Sequence, residues 1–515
     1  MTEAKHLVEH GRRLSESVLW QLQRDLYDSR GIQSWAHGSV PQTITTTPFI
    51  ARAYAKVALG FVRDIAAQVD PDEPIYVVEL GAGSGRFGYR FCLHFADLLE
   101  RSPLQHTTFK YVMTDVSPGL VEYWQAHPKL QSLVASGVMD FGVFDAIQLN
   151  EITLVNARRP LRDIRNPIIL LANYFFDSVP HDSFTIREHE LYENLVRITS
   201  DTPDAQLGGL NVTFEPNAIT TEYYPEPARN RVLEEYRQHL DNVMLLFPVA
   251  GMACVRHFKA LAQDQLLVIA GDIGSAQEYD MGDSAAGGVG AEHNFWLEVN
   301  FHALGGYVRE LGGHVWHPPF RHANLNISTF AFGRSEFAET ALAYDDAVAR
   351  LGPDDFFIDA RVISNQFKEM SRGELLAFLR TTGWDSDYCL QMLPFLMDSL
   401  VDMSWVGRQD LRRVVEETWR MYYPLGHDAD PGDLAFGFGV LLYTIGEPAA
   451  AIEYFHYSLD LFGVDARTTF NIALCLYRLE RLAEALEWVD RTLELDPDAE
   501  QASEMRATLS QSLSR

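Results

Sequence analysis

Between residues 75 and 88 the chain reads Ile-Tyr-Val-Val-Glu-Leu-Gly-Ala-Gly-Ser-Gly-Arg-Phe-Gly, and no other stretch narrows the possible folds as much. The apolar run from Ile75 to Val78 reads as a buried parallel strand. Gly81, Gly83 and Gly85 follow at once, and a helical pattern runs from about Arg86 to Leu99. Glycine lacks a Cβ and tolerates positive φ, so a ligand can approach such a turn closely. Further apolar runs end in polar residues: Phe109 to Asp115, Val138 to Ala146, Ile168 to Asn173, and Leu266 to Gly274. His314 to His317 and Ile327 to Phe332 read as a closing antiparallel pair. Strands alternating with helices give an α/β, doubly wound sheet. In such sheets ligands lie beyond the carboxyl ends of the strands.

Three readings of the glycine turn compete. Gly83-x-Gly85-x-x-Gly88 fits the dinucleotide fingerprint, which alone is a weak signal. A dinucleotide site expects its ribose acid about 20 residues on, and the next strand-terminal acid, Asp115, lies further out. The second reading starts from Glu79-x-Gly81-x-Gly83-x-Gly85, which resembles motif I of the S-adenosylmethionine (SAM) methyltransferases. The third is a purely structural turn. The SAM resemblance implies a Rossmann-like class I methyltransferase sheet with SAM as cofactor. It implies a cofactor site of Glu79, Gly81, Ala82, Gly83 and Gly85 at the turn, with Glu79 near the cationic methionine end. Asp115 and Val116 fall where the ribose hydroxyls are met. Asp145 and Ala146 fall where adenine is met, with Asp140 as runner-up. Asn173 closes the set at the end of the fourth strand.

Length and charge bound the rest. The chain has 515 residues, enough for two or three domains. Its formal net charge of −29 disfavours contact with a phosphate backbone, so nucleic acid is not an expected partner. That acidity suits a basic partner or simply a solvated surface. No apolar run reaches about 18 residues, so no membrane span is expected, and the start does not read as a signal peptide. Cys92, Cys254, Cys389 and Cys475 are scattered without CxxC pairing. Reduced thiols and a cytoplasmic location are expected, without structural zinc. His314, His317 and His322 raise the idea of a metal, but no further ligand completes a set at usual spacing.

A more specific resemblance lies in Ala172-Asn-Tyr-Phe-Phe-Asp-Ser-Val-Pro180. It resembles the "ANEFFDALP" signature of the MidA-type methyltransferases, a family that includes the mitochondrial complex I assembly factor, a protein arginine methyltransferase. Thr46-Thr-Pro-Phe-Ile50, Asp115-Val-Ser-Pro118, Leu191 to Val196, Asp272-Ile-Gly274 and Glu298 to Leu304 resemble other family segments in the same order. The resemblance covers roughly residues 40 to 335. It departs at two places: Tyr174 and Phe49 stand where the family has glutamates, which puts an arginine acceptor in question. A hydroxyl-rich stretch, Thr43 to Pro48, reads either as a pocket cover or as a helix N-cap with proline in the first turn.

After about residue 337 the pattern turns helical. Ala451 and Ala485, Tyr443 and Tyr477, and Leu459 and Leu493 are each 34 residues apart. That period, with alanine at the tight helix crossing, resembles tetratricopeptide repeats, which form concave peptide-binding surfaces. A helical dimerisation domain is the alternative. The expected organisation is a helical cap over 1–50, a methyltransferase domain over 51–335, and an all-α, tetratricopeptide-like domain over 336–515. Helices from about Phe356 to Tyr423 complete the stack.

Methyl transfer needs the acceptor oriented, desolvated and, for an amine or guanidinium, relieved of a proton. Asp177 is the candidate base because it follows the fourth strand, and Glu193 is the second candidate. Gly282 to His293 reads as a glycine-rich lid or loop. The expected function is a SAM-dependent methyltransferase acting on a protein side chain, possibly arginine, docked by the repeats. A small-molecule methyltransferase and a non-catalytic SAM-binding assembly factor are the alternatives. No membrane partner is expected, and a homodimer is an open option.

Overall fold

A computed structural model describes residues 6–30, 44–203, 207–220, 222–282, 295–400, 404–426 and 430–514. The chain forms two compact units that divide between Ile358 and Asp359. No helix among the described residues is long and apolar enough to cross a membrane. The lid expected over Gly282 to His293 lies outside the described residues from 283 onward.

Among the described residues of the first unit, twelve strands of three or more residues form two sheets. Strand β1 is His6–Arg12, and β2 (Ile75–Leu80), β3 (Phe109–Asp115), β4 (Met139–Val143) and β5 (Ile168–Asn173) follow. Next come β6 (Asp182–Arg187), β7 (Glu190–Ser200), β8 (Leu210–Ala218) and β9 (Val243–Phe247). Strand β10 is Leu266–Asp272, β11 His314–Trp316 and β12 Asn326–Ala331. The main sheet has seven strands in the order β11-β12-β10-β5-β2-β3-β4. Strands β10, β5, β2, β3 and β4 are mutually parallel, and β12 runs antiparallel to both β10 and β11. Their near-continuous apolar runs follow from burial on both faces. The chain winds outward from β2 to β3 and β4, then returns to β5 on the other side of β2. The switch point therefore lies between β2 and β5.

Helix α1 (Val18–Arg30) precedes α2 (Pro48–Ile65), α3 (Arg86–Glu100) and α4 (Pro118–Ala126). Thr47 caps α2, its side chain accepting from the Ile50 amide, with Pro48 in the first turn. The N-terminal segment differs from the helical expectation. His6–Arg12 is a strand that pairs antiparallel with β7 in a second, five-stranded sheet, β1-β7-β6-β9, with β8 also on β7. The helix starts only at Val18, after a short turn at Leu14–Glu16.

The boundary expected at 335/336 also moves. Helix α5 (Ala338–Tyr344) packs on α2, where the Asp64 carboxylate accepts the Glu339 and Thr340 amides at 3.1 and 2.8 Å and the Thr340 hydroxyl at 2.7 Å. Gly60 makes this approach possible: a Cβ there would lie 2.6 Å from the Glu339 carbonyl oxygen. Residues 336–358 thus side with the sheet.

The second unit is helical. After helices Arg372–Thr381, Ser386–Asp398 and Trp405–Met421 come two helical hairpins, α6 (Leu434–Thr444) with α7 (Pro448–Phe462), and α8 (Ala466–Arg478) with α9 (Leu482–Leu495). Helix α10 (Glu500–Leu513) follows. Ala451 and Ala485, equivalent in the two hairpins, are both fully buried. A Cβ at Gly439 would meet the Phe455 ring at 2.5 Å, so α6 and α7 cross closely there. Ser458 and Thr492, also 34 residues apart, donate back to the first helix of their hairpins, to Asp433 at 2.5 Å and to Thr469 at 3.0 Å.

Replacing Asp64 with alanine should leave two amides and a hydroxyl without their acceptor and destabilise the first unit by about 1–3 kcal/mol. Urea unfolding of the full chain checks this; an unshifted midpoint would mean that Asp64 does not hold α5.

Candidate functional site

The turn after β2 is built as its glycines require. Gly81, Gly83 and Gly85 have φ of 63°, 52° and 79°, a left-handed region that side chains strain to enter. The turn is tied to the neighbouring strand. The Ala82 amide donates to the Thr114 carbonyl, the Thr114 hydroxyl to the Glu79 carbonyl at 2.6 Å, and the Trp124 indole to the Gly83 carbonyl at 2.9 Å. The Gly83 amide donates to Asp115 Oδ2 at 3.3 Å. A Cβ at Gly81 would lie 2.9 Å from the Phe175 ring.

Beyond the carboxyl ends of β2, β3, β4 and β5 opens a cleft. It brings together Glu79, Gly81, Ala82, Asp115, Val116, Asp145, Ala146 and Asn173 from the sequence reading. Gly83 and Gly85 do not line it. They shape the turn, Gly83 by its bonds to Asp115 and Trp124, Gly85 as the left-handed residue that starts α3.

Each acid in the cleft is held differently. Glu79 is buried and accepts from the Tyr111 hydroxyl at 2.9 Å. Burial pushes its carboxyl up to about 8; the Tyr111 bond opposes this and nearby Asp115 adds to it. Gly88 leaves room for the pair, since a Cβ there would sit 2.8 Å from both Glu79 Oε2 and the Tyr111 ring. Asp115 accepts the Gly83 and Ser117 amides through its two oxygens. Asp145 accepts the Ile147 amide at 2.8 Å and forms a two-pronged ion pair with Arg24, at 2.9 and 3.2 Å. The runner-up, Asp140, faces away: it holds the Asn156 and Ala157 amides at 2.8 and 3.1 Å.

The two expected catalytic acids are not brought to the cleft. Asp177 is 7 % exposed, bonds Ser178 and sits beside Asp272, the last residue of β10. Asp272 Oδ2 accepts the Phe175, Phe176 and Asp177 amides at 3.1, 2.9 and 3.4 Å, gathering the loop after β5 around itself. Burial of this carboxyl pair raises both, Asp177 to about 6. Glu193 lies in the second sheet. It accepts from Arg13 at 3.2 Å and from the Tyr223 hydroxyl, while Arg13 lies over the Tyr223 ring, 4.6 Å from its centroid. It anchors the segment that leads into α1.

Sequence reading missed Trp20, Gln23 and Arg24, which bring one face of α1 to the cleft. Gln23 donates to the Phe295 carbonyl at 2.5 Å, and Trp20 packs between Phe295 and His181. The α1 periodicity marks a buried face without saying what it covers. The hydroxyl-rich stretch before β2 did carry a signal, since Thr45 and Thr46 line the cleft. Of the two positions where the family's glutamates are replaced, Tyr174 lines it, whereas Phe49 stacks on Phe356 with ring centroids 4.1 Å apart. The three histidines do not converge: His314 bonds the Arg334 carbonyl, His317 the Ser328 hydroxyl, and His322 the Asp354 carboxylate.

Residues 57–271 match a family described as "Putative S-adenosyl-L-methionine-dependent methyltransferase", and residues 436–500 match the tetratricopeptide repeat. Two stretches of the chain are thus similar to a SAM-dependent methyltransferase family, whose cofactor is SAM, and to the tetratricopeptide repeat. No curated protein matches. Among solved structures, a COG1565-superfamily protein from Burkholderia thailandensis bound to S-adenosyl-homocysteine is similar at 16 % identity and a TM-score of 0.35, over 73 % of this chain and 82 % of that one. The magnesium protoporphyrin IX methyltransferase of Synechocystis is similar at 13 % identity and a TM-score of 0.28, over 61 % and 99 %. YrrB, a tetratricopeptide protein with a peptide-binding site, is similar at 19 % identity and a TM-score of 0.23, over 30 % and 74 %.

Asp177, with its carboxyl raised to about 6, binds a proton more tightly folded than unfolded. Its contribution to stability is therefore complete below about pH 4 and lost as pH rises through about 6. Asp177→Asn should flatten this part of the pH dependence of the urea midpoint between pH 4.5 and 7.5. An unchanged slope would mean that the pair does not take up this proton.

Proposed function

We propose that the cleft binds SAM and that the domain transfers its methyl group to an acceptor on a protein engaged by the helical repeats. The observation that carries the reading is the convergence of Glu79, Asp115 and Asp145, each at or just past the end of its own parallel strand, on one cleft floored by the Gly81 turn. The residues fit the cofactor. Glu79 suits the cationic methionine end, Asp115 the paired ribose hydroxyls, and Asp145 with Ala146 the adenine edge. The missing Cβ of Gly81 makes room for the Phe175 ring, which walls the cleft beside the turn. The cofactor supplies the leaving group, so the protein's tasks are orientation and exclusion of water. The repeats would supply remote binding energy for the acceptor. The arginine acceptor implied by the family gains no support from this cleft, because Tyr174 offers no carboxylate and position 49 lies outside it.

Calorimetry should show binding of SAM and S-adenosylhomocysteine in preference to NAD. Asp115→Ala should weaken S-adenosylhomocysteine binding by roughly 1–3 kcal/mol, the usual cost of losing bonds to a charged acceptor, with the fold retained. Unchanged affinity would place the ribose elsewhere.

Glu79 makes a pH prediction. Near pH 7 its carboxyl, raised to about 8, is protonated in the free protein. A cationic amine selects the carboxylate, so binding must release a proton. Affinity for S-adenosylhomocysteine should rise from pH 6 towards 8, by at most about tenfold per unit, and level off above. Glu79→Gln should remove that slope. A parent protein with pH-independent binding over this range would separate Glu79 from the ligand.

Transfer itself is tested by incubating cell extract with labelled SAM and the full chain. Label in a protein band supports the docking reading. Label only in small molecules would leave the repeats without a docking role.

A further inference from the structure

We propose that the first helices of the two hairpins, α6 and α8, form a docking strip for an acidic segment of a partner protein, with apolar side chains set between its acids. This rests on the reading that the repeats engage a protein and is independent of the SAM reading. Charge carries the argument. In a chain with a net charge of −29, α6 has no charged residue, and α8 has two arginines, Arg467 and Arg478, and no acid. The second helices are the reverse. Helix α7 has two acids and no lysine or arginine, and α9 has four acids against one arginine. The two hairpins thus separate charge between their first and second helices.

The arginines are built into the first layer. Arg467, Phe470, Leu474 and Arg478 recur at the spacing of one helical face. Both guanidiniums reach across to α6. Arg467 lies over the Phe436 ring, 5.0 Å from its centroid, and Arg478 over the Tyr443 ring at 4.0 Å. Arg478 also donates to the Tyr443 carbonyl at 3.0 Å. The two cations stand about 16 Å apart along α8 at its rise per residue, with Phe470 and Leu474 half-buried between them. The Arg467 side chain is 79 % exposed and Tyr477 is 45 % exposed. Stacking on a ring fixes the plane of a guanidinium, and its N–H edge can then meet a carboxylate through two bonds. Asp465, 3.7 Å from Arg467, is engaged elsewhere: it caps α8 by accepting the Arg467 and Thr468 amides.

The overall charge would favour a basic partner at a distance, but such a segment would meet two guanidiniums at contact. Screening over about 8 Å at physiological ionic strength weakens the pull of the remoter acids, so the local pair of cations decides. The half-buried Phe470 and Leu474 between them call for apolar side chains on the same segment, because burying such surface is favourable.

The test probes an array of random dodecapeptides with the full chain and then measures the best binders by fluorescence anisotropy. Bound sequences should be enriched in aspartate and glutamate together with aromatic residues and leucine, and depleted in lysine and arginine. Enrichment in lysine and arginine, or selection indifferent to charge, overturns the proposal and leaves docking by the repeats standing. An array without binders overturns both, while calorimetry with S-adenosylhomocysteine judges the cleft separately. The double substitution Arg467→Ala, Arg478→Ala should weaken the best acidic peptide by about tenfold, the scale of two partly exposed ion pairs, with the thermal midpoint kept. Equal affinity in that variant overturns the proposal. Arg467→Glu with Arg478→Glu should turn the array's preference towards basic peptides, which lost packing alone would not do; a preference unchanged by the reversal also overturns it.

Discussion

The site depends on a backbone constraint. Three alternate glycines after β2 adopt positive φ, so the chain leaves the strand sideways and re-enters as α3 within five residues. Neighbouring elements hold this geometry: Asp115 and Thr114 from β3 and Trp124 from α4 all bond the turn or the strand end before it. The ribose acid proposed here is therefore also a structural support of the turn. The turn also places Gly81 against Phe175, so it shapes the loop after β5 as well.

That loop has its own anchor. Tyr174 takes a φ of 46°, and the next three amides turn towards one carboxylate, Asp272. A buried carboxylate that accepts several amides fixes a loop more tightly than packing alone, because each amide would otherwise lie unpaired. The arrangement explains why Asp177 does not face the cleft. Its position in the sequence is right, but its direction is decided by Asp272, 95 residues away.

The legible parts of the fold were those that obey a local rule. Central parallel strands need unbroken apolar runs, and Phe109 to Asp115 is read to the residue. The acids at or just past the strand ends were legible because an open sheet places ligands there. The first strand was not legible. His6–Arg12 is largely exposed and shows no alternation, so its strand character comes from main-chain pairing with β7. Arg24 was not legible either. Helical periodicity locates α1, but the pairing with Asp145 depends on how Arg13, Trp20 and Gln23 seat the segment on the second sheet and on Phe295. Glu193 was read as chemistry and belongs to that seating.

A chain with a net charge of −29 still builds its site from local dipoles. Asp115 and Asp145 are each met by backbone amides a few residues away, and Arg24 adds a cation where Asp145 would otherwise lie uncompensated at the cleft. Glu79 is the exception: its carboxylate meets a phenol, Tyr111, among the described residues, and burial decides its protonation. The three acids thus respond differently to a bound cation. Asp115 and Asp145 are prepaired, and in the proposed site they would position a ligand by geometry. Glu79 changes state, and only a positively charged group draws it into its ionised form. In the proposed site the acid nearest the glycine turn would discriminate by charge, and the two on the outer strands by shape and hydrogen bonding. That division suits a cofactor whose charged end and aromatic end must be recognised separately.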